Sequence, residues 1–337
     1  MKKFGLFGLI ILLMISCAPF DRGPQLVIIR GVVFGTYYSV SYYDDEGAVY
    51  QEAIDSLFRK FNRSLSFYDP GSLLSRINRN EETRADDFFE AVFVRAQEIS
   101  VETGGAFDAT VFPLVDAWGF GFSQRAEMTP EKIDSLLQFV GFEKVWLEDG
   151  HVVKDDERVQ LDFNAIAKGY AADLVGLFLE SKGVSAYLVE IGGDMIAKGV
   201  KPDGSKWRIG LEIPAEDMDA DQQWDYFVEI KDVGLATSGD YRRYYEEEGR
   251  RFSHTIDPET GYPVDHQLMS ASVFAPDAMS ADAYATAFMV MGLEKAMDFV
   301  EKRNDLEAYF IFADPGAEQR FAYYASSGLT LLSREDL

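Results

Sequence analysis

The stretch Val145-Trp146-Leu147-Glu148-Asp149-Gly150-His151-Val152-Val153-Lys154-Asp155-Asp156-Glu157-Arg158-Val159-Gln160-Leu161-Asp162-Phe163-Asn164-Ala165-Ile166-Ala167-Lys168-Gly169-Tyr170-Ala171-Ala172-Asp173, running on to Ser181, decides the fold class. Val145–Leu147, His151–Lys154 and Val159–Phe163 predict short strands joined by Asp/Gly turns. A helix is then expected from Ile166 to Ser181, ending at Gly183. Strands come in a run before the helix, instead of alternating with helices. That order predicts an α+β fold and argues against a doubly wound parallel sheet.

The flanks agree. Leu26–Phe34 and Tyr37–Tyr43 read as strands with Gly35 between them. Ile54, Leu57, Phe58 and Phe61 recur at helical spacing, as do Phe88, Phe89, Val92, Phe93 and Ala96, which stop at Gly104-Gly105. Thr129 is an expected N-cap with Pro130 in the first turn. Further strands are expected near Ala186–Ile191, Trp207–Ile213 and Tyr226–Ile230. A helix is expected from about Ala281 to Met291, then a last helix and strands at Glu307–Phe312 and Phe321–Ala325. Acidic Ala215–Gln223 reads as a surface loop. Residues 26–337 are expected to form one domain of mixed, largely antiparallel sheets with packed helices.

Composition excludes several classes. The 337 residues carry 32 Lys+Arg against 57 Asp+Glu, a net charge of −25, so a phosphate-backbone binder is not expected and no nucleic-acid partner is assigned. Apolar residues make up 47%, enough to bury a core. One Cys excludes an internal disulfide framework, a thiolate zinc site and an iron–sulfur cluster. The three His are His151, His254 and His266.

The N-terminus reads as a targeting segment. Lys2 and Lys3 precede an apolar run from Phe4 to Ile15, shorter than the about 20 residues of a spanning helix. Leu13-Met14-Ile15-Ser16-Cys17 resembles a bacterial lipobox. The expectation is a signal peptide at 1–16, lipidation at Cys17, a tether at 17–25, and a lipoprotein anchored on the extracytoplasmic (periplasmic) side of a bacterial membrane. An ordinary secretory signal with an incidental Cys is the alternative.

Several segments carry groups that a plain core does not need. Gly104-Gly105-Ala106-Phe107-Asp108 combines permissive backbone with a carboxylate. Lys168 falls in the first turn of its helix, where its charge opposes the dipole unless an anion meets it. Glu190-Ile191-Gly192-Gly193-Asp194 reads as a tight turn, and Ala236-Thr237-Ser238-Gly239-Asp240-Tyr241-Arg242 as a polar segment. His254 and Asp257 offer a base and an orienting carboxylate, although a surface turn reads equally well. Asp282 and Thr286 share a helix face, where they can bind a hard cation such as Mg²⁺. The plainer reading has Ser280 as N-cap and Asp282 answering the helix dipole.

Taken in order, with Phe34-Gly35-Thr36-Tyr37 and Ser66–Asn78, these segments resemble the ApbE family of FAD:protein FMN transferases, whose fold is related to the T-fold. The resemblance runs from about Val33 to Met291. It implies Mg²⁺-dependent transfer of FMN from FAD, the substrate, to a Thr/Ser hydroxyl of an acceptor redox protein outside the cytoplasm, with release of AMP. An FAD pyrophosphatase giving FMN and AMP, or a non-catalytic FAD-binding lipoprotein, are the alternatives. By the same resemblance Phe34, Tyr68, Ala106, Phe107, Asp108, Asp162, Lys168, His254 and Thr255 contact FAD. The Ala165 carbonyl, Asp282 and Thr286 ligate Mg²⁺, and backbone near Met279 completes the shell. Lys168, Asp282 and His254, the last as general base, carry the chemistry. Phe34 stands where the family often has Met, Asn164 where Gly is common, and Ala109 where Pro is frequent.

Overall fold

The computed structural model describes residues 23–212, 224–239, 244–247, 250–317 and 320–336. The leader, Cys17, the 215–223 loop and Asp240-Tyr241-Arg242 lie outside the described residues.

An eight-stranded sheet organises the described residues. Its strands are β1 (Gln25–Val33), β2 (Thr36–Asp44), β3 (Tyr187–Ile191), β4 (Asp194–Lys198), β5 (Val233–Gly239), β6 (Leu268–Ala275), β7 (Glu307–Ala313) and β8 (Phe321–Ala325). Their order across the sheet is their order along the chain, and every neighbouring pair is antiparallel. Antiparallel pairing needs no crossover helix. The helices α1 (Gln51–Leu65), α2 (Asp87–Glu102), α3 (Ala167–Ser181) and α4 (Ala278–Met291) therefore collect over one face. The α+β expectation holds.

Side-chain alternation divides the sheet into two interfaces. Ala236 and Phe310 belong to the helical face, while their neighbours Leu235, Tyr309 and Ile311 face the other way. There they meet Trp207, Leu211, Val228 and Ile230 of the paired strands Trp207–Glu212 and Trp224–Ile230. A third, smaller cluster joins Leu114, Trp118, Ile133 and Val140 to Ile256.

Two glycines set the depth at which α4 sits. A Cβ on Gly169 of α3 would lie 2.1 Å from the Ala278 carbonyl oxygen, and one on Gly234 of β5 would lie 2.3 Å from the Ala278 nitrogen. Only hydrogen at both positions lets the start of α4 wedge between helix and sheet.

One expected strand is absent. Val159–Phe163 joins no ladder. Its backbone groups are taken by other partners: Asn78 Nδ2 donates to the Leu161 carbonyl at 2.8 Å, Leu161 N–H donates to Asn78 Oδ1 at 2.8 Å, and Asp162 N–H donates to the Ala109 carbonyl at 2.7 Å. A side-chain amide thus satisfies what a neighbouring strand otherwise would. Conversely, β4, β5 and β6, the middle of the sheet, were not expected.

Candidate active site

The site begins where α3 starts. Gly169 N–H would bond the Ala165 carbonyl in a regular first turn, but donates instead to Asp282 Oδ2 at 3.2 Å. The Ala165 carbonyl is left without a hydrogen-bond donor among the described residues. Asp282, 4% exposed, stands one turn before Thr286 on α4. The Thr286 hydroxyl lies 3.1 Å from the Ser238 hydroxyl of β5. Lys168, adjacent to the orphaned carbonyl, is ion-paired to Asp194 and lies 4.0 Å from Asp282 Oδ1.

Two buried carboxylates support this corner. Asp194 follows the tight Gly192-Gly193 turn, where φ is 59° and 97°, and is 2% exposed. Burial pushes its carboxyl up to about 7; the Asp282 charge adds to this and Lys168 opposes it. Asp173 of α3 accepts the backbone N–H groups of Ala278 at 2.9 Å and Met279 at 2.8 Å. Burial and the neighbouring Asp277 charge push it up to about 7 as well. The N-cap of α4 is Asp277, which accepts Ser280 N–H at 2.7 Å, and not Ser280 as the sequence suggested. Asp282 therefore sits in the second turn, free of a capping role.

Ala165, Lys168, Asp282 and Thr286 line a cleft of about 420 Å³. It brings together Tyr68, Ala106, Phe107, Asp108, Asp162, Ala165, Lys168, His254, Thr255, Asp282 and Thr286. Tyr68 is 70% exposed at the lip, edge-on to Phe67 and Phe122. The Asp108 carboxylate is committed to structure: it accepts from Thr110 N–H at 2.7 Å, Thr110 Oγ1 at 2.6 Å and Phe142 N–H at 3.0 Å. Asp162 accepts Asn164 N–H at 2.8 Å, and burial raises its carboxyl above the usual range. Asn164 adopts no positive φ, so the turn before Ala165 needs no Gly.

Phe34 and Met279 do not line this cleft. Phe34, at φ 52°, forms the β1–β2 turn with Gly35 at φ 75° and packs on Phe58 and Phe61. It lines an adjoining hollow of about 920 Å³, which shares Tyr68, Asn164 and Lys168 with the cleft. Met279 donates its N–H to Asp173 Oδ2 at 2.8 Å.

His254 also lines the cleft, edge-on to Phe120 with ring centroids 6.4 Å apart. The expected orienting carboxylate fails. Asp257 accepts Glu259 N–H at 2.9 Å and Thr260 Oγ1 at 3.0 Å, so both its oxygens hold its own turn. Trp118 Nε1 donates to the Gly261 carbonyl at 2.8 Å and fixes that turn to the third cluster. Asp194, Ser238 and Phe120 are among the site residues that the sequence reading did not assign. Asp194 carried a signal, the Gly192-Gly193 turn; Phe120 carried none.

The corner fits a hard cation. Its donors are a carbonyl without a hydrogen bond, a carboxylate and a hydroxyl, all oxygens, and they leave room for phosphate and water. No group of three or more His, Cys, Asp or Glu side chains gathers among the described residues. Lys168 at 4.0 Å already shows that positive charge is accepted beside Asp282.

Comparison with known proteins points the same way. The model of the ApbE family matches residues 34–310. The chain is similar to an FAD:protein FMN transferase of Haemophilus influenzae, 37% identical over 92% of this chain and 93% of the relative. It is likewise similar to one of Escherichia coli, 34% identical over 86% and 85%. Among solved structures it resembles flavin transferase ApbE from Vibrio cholerae, with TM-score 0.78, 35% identity and coverage of 90% and 98%. It also resembles the apo form of Pseudomonas stutzeri flavinyl transferase ApbE, with TM-score 0.80, 33% identity and coverage of 90% and 95%.

Proposed function

The chain belongs to the ApbE family, and we propose that it performs the reaction its relatives are named for, moving FMN from FAD onto an acceptor protein. The observation that carries this reading is the corner where Gly169 diverts to Asp282 and frees the Ala165 carbonyl, beside Thr286 and Lys168. Asp282, Thr286 and the Ala165 carbonyl would hold Mg²⁺. Bound there, the ion supplies charge neutralisation on pyrophosphate oxygens.

This chain's residues do the rest. Lys168, steadied by Asp194, holds a pyrophosphate oxygen and adds a fixed cation. The cleft walls from Ala106 to Asp108 and from His254 to Ile256 orient the nucleotide and exclude water. A Thr or Ser hydroxyl of the acceptor attacks the FMN-side phosphorus. Its proton passes to His254, the new phosphoester bond forms, the bond to the bridging oxygen breaks, and AMP leaves. Such a base is worth about 10²–10⁴-fold. Water in place of the hydroxyl yields FMN and AMP.

Mass spectrometry tests the assignment. Protein, FAD, Mg²⁺ and a Thr-bearing acceptor peptide should give one added FMN on the hydroxyl, lost without Mg²⁺. Free FMN with unmodified peptide would make the protein a hydrolase; intact bound FAD would make it a carrier. The leader pattern supports attachment by lipid at Cys17 on the extracytoplasmic membrane face. Cys17→Ser should move the protein from the membrane to the soluble fraction of an expressing cell, and persistence in the membrane would refute the anchor.

A further inference from the structure

Strand β1 leaves an apolar face uncovered. Leu26, Ile28, Arg30 and Val32 alternate onto the sheet face that points away from the helices, while Val27 and Ile29 are buried on the helical side. The register sets Val32 beside Tyr37 of β2, which extends the strip by one ring. Leu26, Ile28 and Tyr37 are half exposed, and Val32 is 82% exposed. Farther into the sheet the same face is covered by the paired strands Trp207–Glu212 and Trp224–Ile230, whose cluster takes in Tyr43 and Leu188 but no residue of β1. Neighbouring apolar side chains on an open face mark a contact surface.

The place of the strip along the chain points to its occupant. Cys17, the residue read as lipidated, stands 25 − 17 = 8 residues before the first residue of β1. Such a tether reaches at most about 26–29 Å, of which about 5–8 Å crosses the headgroups. The start of β1 is therefore held within about 20 Å of the bilayer surface and meets it at high local concentration. We propose that the face formed by Leu26, Ile28, Val32 and Tyr37 lies on the lipid bilayer and orients the anchored enzyme. The inference rests on the lipid-anchor reading at Cys17. Arg30, the single charged residue of β1, can lay its stem along the strip and carry its guanidinium to the lipid phosphates. Glu190, at the inner margin, accepts the Tyr37 hydroxyl at 2.9 Å. A net charge of −25 opposes an anionic bilayer, so apolar burial carries the contact. Four partly exposed side chains hold weakly by themselves: an unanchored chain stays in solution, and the tethered one lies down. β1 runs directly into the Phe34-Gly35 turn, which lines the hollow beside the cleft, so seating β1 on the membrane fixes the height of the cleft above it.

A probe on the strip tests this. Cys17 is the single Cys of the chain and is blocked once lipidated, so an introduced thiol is labelled alone. Val32→Cys and, as control, Val101→Cys at an exposed site on α2 receive an environment-sensitive fluorophore on the lipidated protein in phosphatidylcholine vesicles. The Val32 probe should shift to the blue and be quenched by spin-labelled lipid, while the Val101 probe reports water. High salt should leave the quenching in place, and added phosphatidylglycerol should weaken it. Leu26→Gln/Ile28→Gln should cut it by about half or more. Both positions are half exposed, and circular dichroism checks the fold. A Val32 probe as wet as the Val101 probe, or quenching untouched by Leu26→Gln/Ile28→Gln, would overturn the proposal. A blue shift that grows with protein density and escapes lipid quenching would overturn it in favour of a second copy on β1. The mass of the N-terminal peptide separates the two readings. A lipidated Cys17 with a wet Val32 probe refutes the face alone, whereas an unlipidated Cys17 removes the anchor and with it the bilayer beside β1.

Discussion

Lys168, on the first turn of α3, is ion-paired to Asp194 at the start of β4, although 26 residues separate them and the aspartate is almost wholly buried. A buried carboxylate that grips this cation fixes its position without itself lining the cleft. Asp194→Asn is therefore expected to slow FMN transfer by about 10–100-fold, the usual cost of losing a supporting partner. Single-turnover kinetics, with FAD binding measured in parallel, separate a misplaced Lys168 from a weakened fold. An unchanged rate would make the pair idle.

Asp282→Ala should abolish both FMN transfer and FAD hydrolysis and remove any response to Mg²⁺, because the side chain would supply the one carboxylate of the proposed cation corner. Activity at the wild-type level would transfer the metal assignment elsewhere.

His254→Ala should lower transfer at neutral pH by about 10²–10⁴-fold while leaving FAD affinity near its original value. Equilibrium binding and product formation on one sample make the comparison. If affinity collapses in step with rate, His254 is a binding residue and not a base.

Gly169→Ala should destabilise the protein by roughly 1–3 kcal/mol, because its methyl would fall 2.1 Å from the Ala278 carbonyl oxygen. A denaturant titration reads this directly. Gly169 also donates to Asp282, so activity should fall further than stability explains.

Stability should depend on pH with an unusual sign. The Asp173 carboxyl is pushed up to about 7 in the folded protein. An ordinary carboxyl in the unfolded chain titrates near ~3.9. Between these values the folded state holds a proton that the unfolded state has released. The contribution of this group is thus most favourable below the unfolded value and declines as pH rises to about 7, by an amount on the order of a few kcal/mol. Asp173→Asn should flatten the decline in melts run from pH 5 to 8. A wild-type stability that climbs across this window would show Asp173 to be ionised throughout.

The outer parts of the fold were legible in the sequence, and the middle was not. The strands at Leu26–Phe34 and Tyr37–Tyr43 advertise themselves by β-branched and aromatic alternation, and the structure places strands at Gln25–Val33 and Thr36–Asp44. Central strand β5 reads Val233-Gly-Leu-Ala-Thr-Ser-Gly239, which looks like a polar loop. Its residues are small because α4 lies against it, and that requirement hides the strand signal. Val159–Phe163 fails the other way: it has strand composition, but Asn78 from a distant helix occupies its backbone. Most of the site was legible only through the motif order. Local spacing suggested Asp257 as a partner for His254, whereas Asp257 is held by its own turn. The Lys168–Asp194 pair depends on the pairing of β3 with β4, which spacing alone does not reveal.

The glycine seats of α4 also bear on which ion the corner admits. With Gly169 and Gly234 both touching its start, the helix has no slack along either direction, so the gap between Ala165 and Asp282 has a set width. A compact ion that keeps its waters and asks for few protein oxygens suits such a gap. A larger one such as Ca²⁺, which takes about 6–8 oxygens at about 2.3–2.6 Å, would have to spread α3 from α4 against hard backbone contact. Selectivity between the two cations would then come from two missing methyl groups, neither of which belongs to a residue proposed to touch the metal.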